Sequence, residues 1–359
     1  MRVPMITLSL LLAAGPAMAQ QAERFTLAGS DVAIYNLAGA VTVEPGSGSV
    51  TVHVTRGGAG APSLTIEQDE IDGRETLRVR YPADHVVYGG LDRGSSTQLR
   101  VREDGTFGDG DHHDDHNRRS RRHEHVGRPV RISGAGDGLQ AHADLRIQLP
   151  AGRDVAIYLA VGKVSVANID GRLHVDAHSA PVTATGIKGG LSVDVGSGPV
   201  NVSGAEGELS VDTGSGPVEV SRFRGTELSV DTGSGEVTAT DIQASEIAIE
   251  TGSGDIRVSA AAAPRVVLET GSGSVTADFR AEIRSLSVET GSGNIAVTAP
   301  GSLGAEVEIE TSSGDIETDF PLQVTRHARD HLVGRIGDGK GRITIETGSG
   351  DVRLLKRAS

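Results

Sequence analysis

From about residue 155 onward, apolar and polar positions alternate with a period of two. Leu209, Val211, Val218 and Val220 fall on one side, and Ser210, Asp212 and Glu219 on the other. Alternation of this kind, rich in β-branched side chains, predicts half-buried strands. A helix would need apolar residues at i, i+3 and i+4 over about ten residues, and no stretch after the N-terminal segment offers that.

The alternation is written as one recurring phrase. It reads LSVDVGSGPV at 191–200, LSVDTGSGPV at 209–218, LSVDTGSGEV at 228–237 and IAIETGSGDI at 247–256. It continues as VVLETGSGSV at 266–275, LSVETGSGNI at 286–295, VEIETSSGDI at 307–316 and ITIETGSGDV at 343–352, with a degraded copy, LHVDAHSAPV, at 173–182. The central serines, Ser179, Ser197, Ser215, Ser234, Ser253, Ser272, Ser292, Ser313 and Ser349, are separated by 18, 18, 19, 19, 19, 20, 21 and 36 residues. The last step is twice 18, which reads as one unit whose signature is replaced by residues 321–341. Gly-Ser-Gly predicts a sharp corner, because glycine reaches positive φ without steric cost. A second corner falls eight residues past each serine, at Ile187, Ala205, Phe223, Ile242 or Ala261.

A unit this short cannot bury its own apolar face and must stack on the next. The fold class expected is therefore all-β: a β-solenoid of stacked two-strand coils of 18–21 residues with Gly-Ser-Gly corners. At a strand spacing of about 4.8 Å, ten or so coils give a rod on the order of 50 Å long. A sandwich of hairpins is the competing architecture, but it would vary its turns instead of repeating one phrase. DVAIY at 31–35 and again at 154–158, and Gly-Ser-Gly-Ser-Val at 46–50, read as further early coils, with residues 62–82 forming a hairpin about Asp72-Gly73. The organisation expected is a signal peptide at 1–19, N-terminal coils and hairpin at 20–103, a disordered His/Asp/Arg-rich insertion at 104–128 and the main repeat region at 129–359.

The repeated (V/I)-(D/E)-T-G-S-G-x-(V/I) phrase resembles the bacterial candidate-adhesin family of β-strand repeats, whose function is unassigned, and more distantly the head GIN domain autotransporter adhesins. The resemblance spans roughly residues 30–355. It implies an extracytoplasmic β-solenoid with an adhesin-like role and brings no catalytic residues with it.

Composition sharpens this picture. In 359 residues there are 49 glycines, only 3% aromatics, and neither cysteine nor tryptophan. Disulfides, thiolate metal sites and a cysteine nucleophile are thereby excluded. Thin coils leave no room for large rings except at corners such as Phe223. The net charge of −14 argues against nucleic acid, which needs a basic face. Arg2, the apolar run Ile6 to Ala14, and Ala17-Met18-Ala19 before Gln20 have the three parts of a cleavable secretory signal. The run is shorter than the roughly 20 residues needed to span a bilayer. No transmembrane segment is expected after cleavage, and the protein is expected to be periplasmic or secreted.

Two chemical features remain. One is an acidic column three residues before each serine: Asp176, Asp194, Asp212, Asp231, Glu250, Glu269, Glu289, Glu310 and Glu346. Stacking would set these about 5 Å apart, where like charges raise each other's pKa, and the adjacent Thr or Ser hydroxyls would soften the repulsion. The column reads either as a solvated edge that blocks lateral pairing or as a ladder for divalent cations or a basic partner. A regular calcium spine is not expected, since the residue after Gly-Ser-Gly is Pro, Glu, Asp, Ser or Asn by turns. The other feature is the stretch 104–128, where His112, His113, His116, His123 and His125 interleave with Asp111, Asp114 and Asp115. Imidazole and carboxylate suit a divalent metal such as zinc, copper or nickel, though the spacing matches no defined site.

The repeated serines form no G-x-S-x-G elbow, and repetition gives a multivalent surface where catalysis needs a few convergent groups. The sequence thus points to a non-enzymatic structural or binding module at the cell envelope, with no cofactor and with an envelope protein or surface glycan as partner. Metal binding through 104–128 is the alternative, and a polysaccharide-active β-helix enzyme a more remote one.

Overall fold

The computed structural model describes residues 22–108 and 127–358. The expected signal peptide, 1–19, lies outside them. Strand is the dominant element of the described residues, in one 26-stranded sheet and a separate four-stranded one, and the helical element among them is a 3-10 turn at Ala61–Ser63. The architecture is all-β and solenoid-like.

The stacking follows from the repeat. Asp170–Ser179 lies parallel to Lys188–Ser197, with Leu173 beside Leu191 and Asp176 beside Asp194. The same pairing continues through Leu209, Leu228, Ile247 and Val266. Past each Gly-Ser-Gly corner a shorter strand does likewise, Val182 beside Val200, Val218 and Val237 in turn. Leu209, Val211, Val218 and Val220 are all buried, while Ser210, Asp212 and Glu219 are exposed. Each buried Val, Leu or Ile contributes about 1.5–3 kcal/mol, so thin columns repeated coil after coil stand in for a thick aromatic core.

Both corners are set by backbone geometry. At the first, Gly216 has φ +139°, and a β-carbon there would stand against the carbonyl of Gly198 one coil back. At the second, the chain turns through a left-handed residue, Asn168, Gly186, Gly204, Arg222, Asp241 or Ala260 in successive coils, with φ between +52° and +67°. The residue after it, Ile169, Ile187, Ala205, Phe223, Ile242 or Ala261, is buried.

The ends depart from simple repetition. Asp31–Pro45 is a true coil, stacked parallel on Arg153–Ala167 with Asp31 beside Asp154 and Val43 beside Val166. Gly-Ser-Gly-Ser-Val at 46–50, expected as another coil, instead leads into Val50–Gly57, which runs antiparallel to His142–Leu149 and to Glu23–Leu27. The hairpin closed at Asp72-Gly73 pairs Thr65–Ile71 with Arg74–Arg80, and the latter lies parallel to the first coil. Residues 104–108, expected within the insertion, are packed: Phe107 is buried, and Asp104 Oδ1 accepts from the Thr106 amide at 2.9 Å and its hydroxyl at 2.8 Å.

At the far end the 36-residue step has a different origin from a replaced unit. The final coil, Gly341–Thr347 with Val352–Lys356, is inserted between the coil at 285–299 and the one at 305–318. Gly341–Thr347 has Ser285–Thr290 on one side and Ala305–Thr311 on the other, and Val352–Lys356 sits likewise between Ile295–Ala299 and Ile316–Thr318. Residues 321–341 are mostly a hairpin, Leu322–His327 against His331–Ile336, which closes the stack on Ala305–Thr311.

Candidate functional site

The structure aligns all nine acids of the column on one edge. Register runs Asp176, Asp194, Asp212, Asp231, Glu250, Glu269, Glu289, then Glu346, then Glu310. The insertion of the final coil puts Glu346 before Glu310. The parallel spacing of about 4.8 Å keeps every carboxylate within reach of the next. Asp176, Asp194 and Glu269 are partly shielded and the others exposed.

What flanks the column makes it accessible. Two residues before the acid stand small side chains in the middle coils, Ser192, Ser210, Ser229, Ala248 and Ser287, while His174, Val267 and Glu308 hold that place elsewhere; two residues after it stand the first glycines of the corners, Gly196, Gly214, Gly233, Gly252, Gly271, Gly291 and Gly348, with His178 and Ser312 as the exceptions. A stripe of carboxylates therefore rises between two low columns. Mutual repulsion registers at its centre: Glu269 is held above the usual carboxylate range, first by partial burial and then by the charges of Glu250 and Glu289.

The threonine that follows seven of the nine acids does not soften that repulsion; Ala177 and Val195 follow Asp176 and Asp194. Thr213, Thr232, Thr251, Thr270, Thr290, Thr311 and Thr347 all face inward and are buried, as the period of two requires. From Thr251 on, the hydroxyl donates to the second corner glycine of the coil below: Thr270 to Gly254 at 3.0 Å, Thr290 to Gly273 at 2.9 Å, Thr347 to Gly293 at 3.0 Å and Thr311 to Gly350 at 3.0 Å. Thr213 and Thr232 Oγ1 are buried with no partner. The glycines they would use, Gly198 and Gly216, precede Pro199 and Pro217, and the residue before a proline is conformationally restricted.

The residues after Gly-Ser-Gly, weighed above as calcium ligands, also serve the stack. Asp255 Oδ1 accepts the Ser274 amide at 2.9 Å, Asn294 Oδ1 that of Asp351 at 2.9 Å, and Asp351 Oδ1 that of Asp315 at 3.1 Å. These carboxylates and amides cap the backbone of the next coil. Among the described residues, no three His, Asp or Glu side chains gather as a metal shell would require. The histidine-rich candidates, His112, His113, His116, His123 and His125 with Asp111, Asp114 and Asp115, lie outside the described residues.

The acid column is bounded by residues the repeat does not announce. Tyr158 pairs with Asp176 and Tyr35 with Tyr158, and the two rings stack with centroids 4.2 Å apart and planes 4° from parallel. Phe107 meets Tyr35 edge-on at 5.6 Å. A side chain at Gly108 would run into Asp176 and Tyr158, so the chain arrives at the head of the ladder just before residue 109. Beyond Tyr35 comes Arg78, nearly fully buried and bound to Asp69 at 2.6 Å. At the other end His331 pairs with Glu310 and lies 3.5 Å from Glu308. The second DVAIY copy was the available signal for the tyrosines. Nothing in the sequence period places His331 beside Glu310.

Residues 146–355 match the family described as Toastrack DUF4097. The chain belongs to the Toastrack DUF4097 family. The matched span holds every acid of the ladder and the coils from Arg153 on, while residues 22–108, including the coil at Asp31–Pro45, lie outside it. A crystal structure of a candidate cell adhesion protein from Clostridium sporogenes ATCC 15579 is similar over 94% of this Toastrack chain and 100% of that one, at 10% identity and a TM-score of 0.21, too low to argue from. No curated protein matches. No helix among the described residues is long and apolar enough to cross a membrane.

Proposed function

We propose that this Toastrack protein is a non-enzymatic, extracytoplasmic module of the cell envelope that offers its acidic edge to a basic partner, an envelope protein or a cationic surface glycan. One observation carries the reading: nine carboxylates stay in register along the stack, flanked through its middle coils mostly by serine, alanine and glycine. Each acid adds little alone, since exposed pairs contribute about 0–1 kcal/mol. A linear array multiplies that contribution and becomes salt-sensitive. The N-terminal secretory pattern and the resemblance to candidate adhesins support the location, and the two-strand coil with Gly-Ser-Gly corners supplies the regular spacing. The test compares wild type with Asp212→Asn, Asp231→Asn, Glu250→Gln and Glu289→Gln combined, in capture from envelope fractions. Salt-sensitive capture by wild type that drops roughly tenfold or more in the variant is expected; equal capture by both overturns the reading. A product from incubation with envelope glycans would overturn its non-enzymatic part.

A second reading has divalent metal bound in 104–128. The contact of Gly108 with Asp176 favours it, because that segment leaves the fold beside a carboxylate. Calorimetry with zinc, copper and nickel on the full chain and on a version lacking 109–126 tests it. Heat that does not depend on the segment ends it.

A further inference from the structure

The face that carries the acid ladder is terminated at both ends by a hairpin, and in each hairpin one strand pairs on a single side among the described residues. At the N-terminal end Thr65–Ile71 pairs with Arg74–Arg80 alone, and at the C-terminal end Leu322–His327 pairs with His331–Ile336 alone, among the described residues. An open strand edge is a row of unpaired backbone donors and acceptors, which proteins normally cover, blunt or use for pairing.

Three properties make these two edges complementary. The first is length, seven residues against six. The second is charge: Thr65–Ile71 carries no base and three acids, of which Glu67 and Asp69 also pair with Arg78 and Arg80 of the same hairpin while Glu70 is exposed, whereas Leu322–His327 carries the exposed Arg326 and no acid. Close by, the Arg329 side chain is 87% exposed, 3.8 Å from Asp315. The third is direction. Arg74–Arg80 runs with the coil strands, so Thr65–Ile71 runs against them. His331–Ile336 runs against Ala305–Thr311, so Leu322–His327 runs with the coils. A second copy placed end-on along the stack would therefore meet the first with antiparallel strands, the arrangement that continues a sheet. Leu322–His327 also carries Val324, 53% exposed and the large apolar side chain standing furthest into water among the described residues. The register shift between Val324 and Arg326 divides this edge into two short runs, so a single contact is weak.

We propose that copies of this protein associate head to tail, the Leu322–His327 edge of one pairing antiparallel with the Thr65–Ile71 edge of the next. The contact joins two different surfaces, so it does not close on itself and leads to linear oligomers. This goes beyond the partner proposed above and does not depend on it.

Sedimentation velocity and negative-stain microscopy of the full chain over a range of concentrations test the idea. The expected result is mass that climbs with concentration past the dimer, and rods joined end to end. Arg326→Glu and Glu70→Arg each reverse one edge at an exposed position, and each alone is expected to weaken association about tenfold. Mixing the two variants restores opposite charges at every junction and is expected to restore long oligomers. Circular dichroism checks that both variants stay folded. A monomer at all concentrations overturns the proposal. So does growth that stops at a dimer, which would mean like edges pairing with each other, and so does a mixture no better associated than either variant alone.

Discussion

The first repeat coils and the later ones close the same corner by different chemistry. In the coils turning at Pro181, Pro199 and Pro217 the corner residue has no amide hydrogen to satisfy. From Glu236 on, the corner residue has one, and from Ser274 on the side chain at the same corner one coil below accepts it, as Asp255 does for Ser274 and Asn294 for Asp351. The proline solution has a side effect. Gly198 and Gly216, ahead of prolines, have φ +135° and +139°, against +148° to +157° for Gly254, Gly273 and Gly293. The inward threonine one coil up finds a carbonyl partner only in the second set. Removing a donor at the surface thus leaves a hydroxyl unsatisfied in the core, so polar satisfaction has to be counted over two coils at once.

The comparison can be broken most forcefully at what both regions share. Gly216→Ala and Gly293→Ala each place a β-carbon against the backbone of the coil below, at φ +139° and +148°. Both are expected to lose about 3 kcal/mol or more, seen as a lowered urea midpoint. A loss at only one of them would mean that the two kinds of corner differ in backbone as well as side chain. The threonines sharpen the contrast. Thr290→Val removes a hydrogen bond and is expected to lose about 1 kcal/mol, whereas Thr213→Val, replacing an unpartnered buried hydroxyl, is expected to be neutral or stabilising by up to about 1 kcal/mol. Equal losses in parallel thermal melts would refute the distinction. Asn294→Ala strips the Asp351 amide of its acceptor at a solvent-reached corner, for an expected loss of about 0.5–1 kcal/mol, with faster hydrogen exchange at Asp351.

The smallest effect concerns charge. The Glu269 carboxyl is held above the usual range in the folded chain, so the native state binds its proton more tightly than the unfolded state does. This group's contribution is therefore most favourable at low pH and is lost as pH rises from the ordinary carboxylate value through the raised one. Glu269→Gln is expected to stabilise by about 0.5 kcal/mol at neutral pH and by nothing near pH 4. A melting-temperature difference that did not change with pH would contradict this.

Much of the fold was legible because one phrase encodes one coil. Period-two alternation identified the inward and outward residues, and Gly-Ser-Gly identified the corner. The inward position of the threonines was legible by the same rule, since Val211 and Thr213 are two apart. Coil order was not legible. VEIETSSGDI and ITIETGSGDV present almost the same strand to Ser285–Thr290, so nothing local says that the later one takes the nearer place. The N-terminal cap escaped for a related reason: Gly-Ser-Gly-Ser-Val at 46–50 spells a corner, but the strand after it finds antiparallel neighbours in His142–Leu149 and Glu23–Leu27. As for the site, the sequence located the acids, and only the stacking revealed their order and which of them stand exposed.

The inserted final coil has a kinetic consequence. A chain emerging from its N-terminus presents residues 305–318 before residues 341–356, yet the later segment belongs nearer the growing stack. The earlier segment must either wait or seat itself in its neighbour's slot and later be displaced. Because the two carry nearly the same phrase, the misplaced state is a close competitor in energy. Where the earlier segment has seated itself first, the last step of maturation is an exchange of strands, slower than the one-after-another zippering of the coils before it, and a chain interrupted before residue 341 would halt one coil short of its proper order.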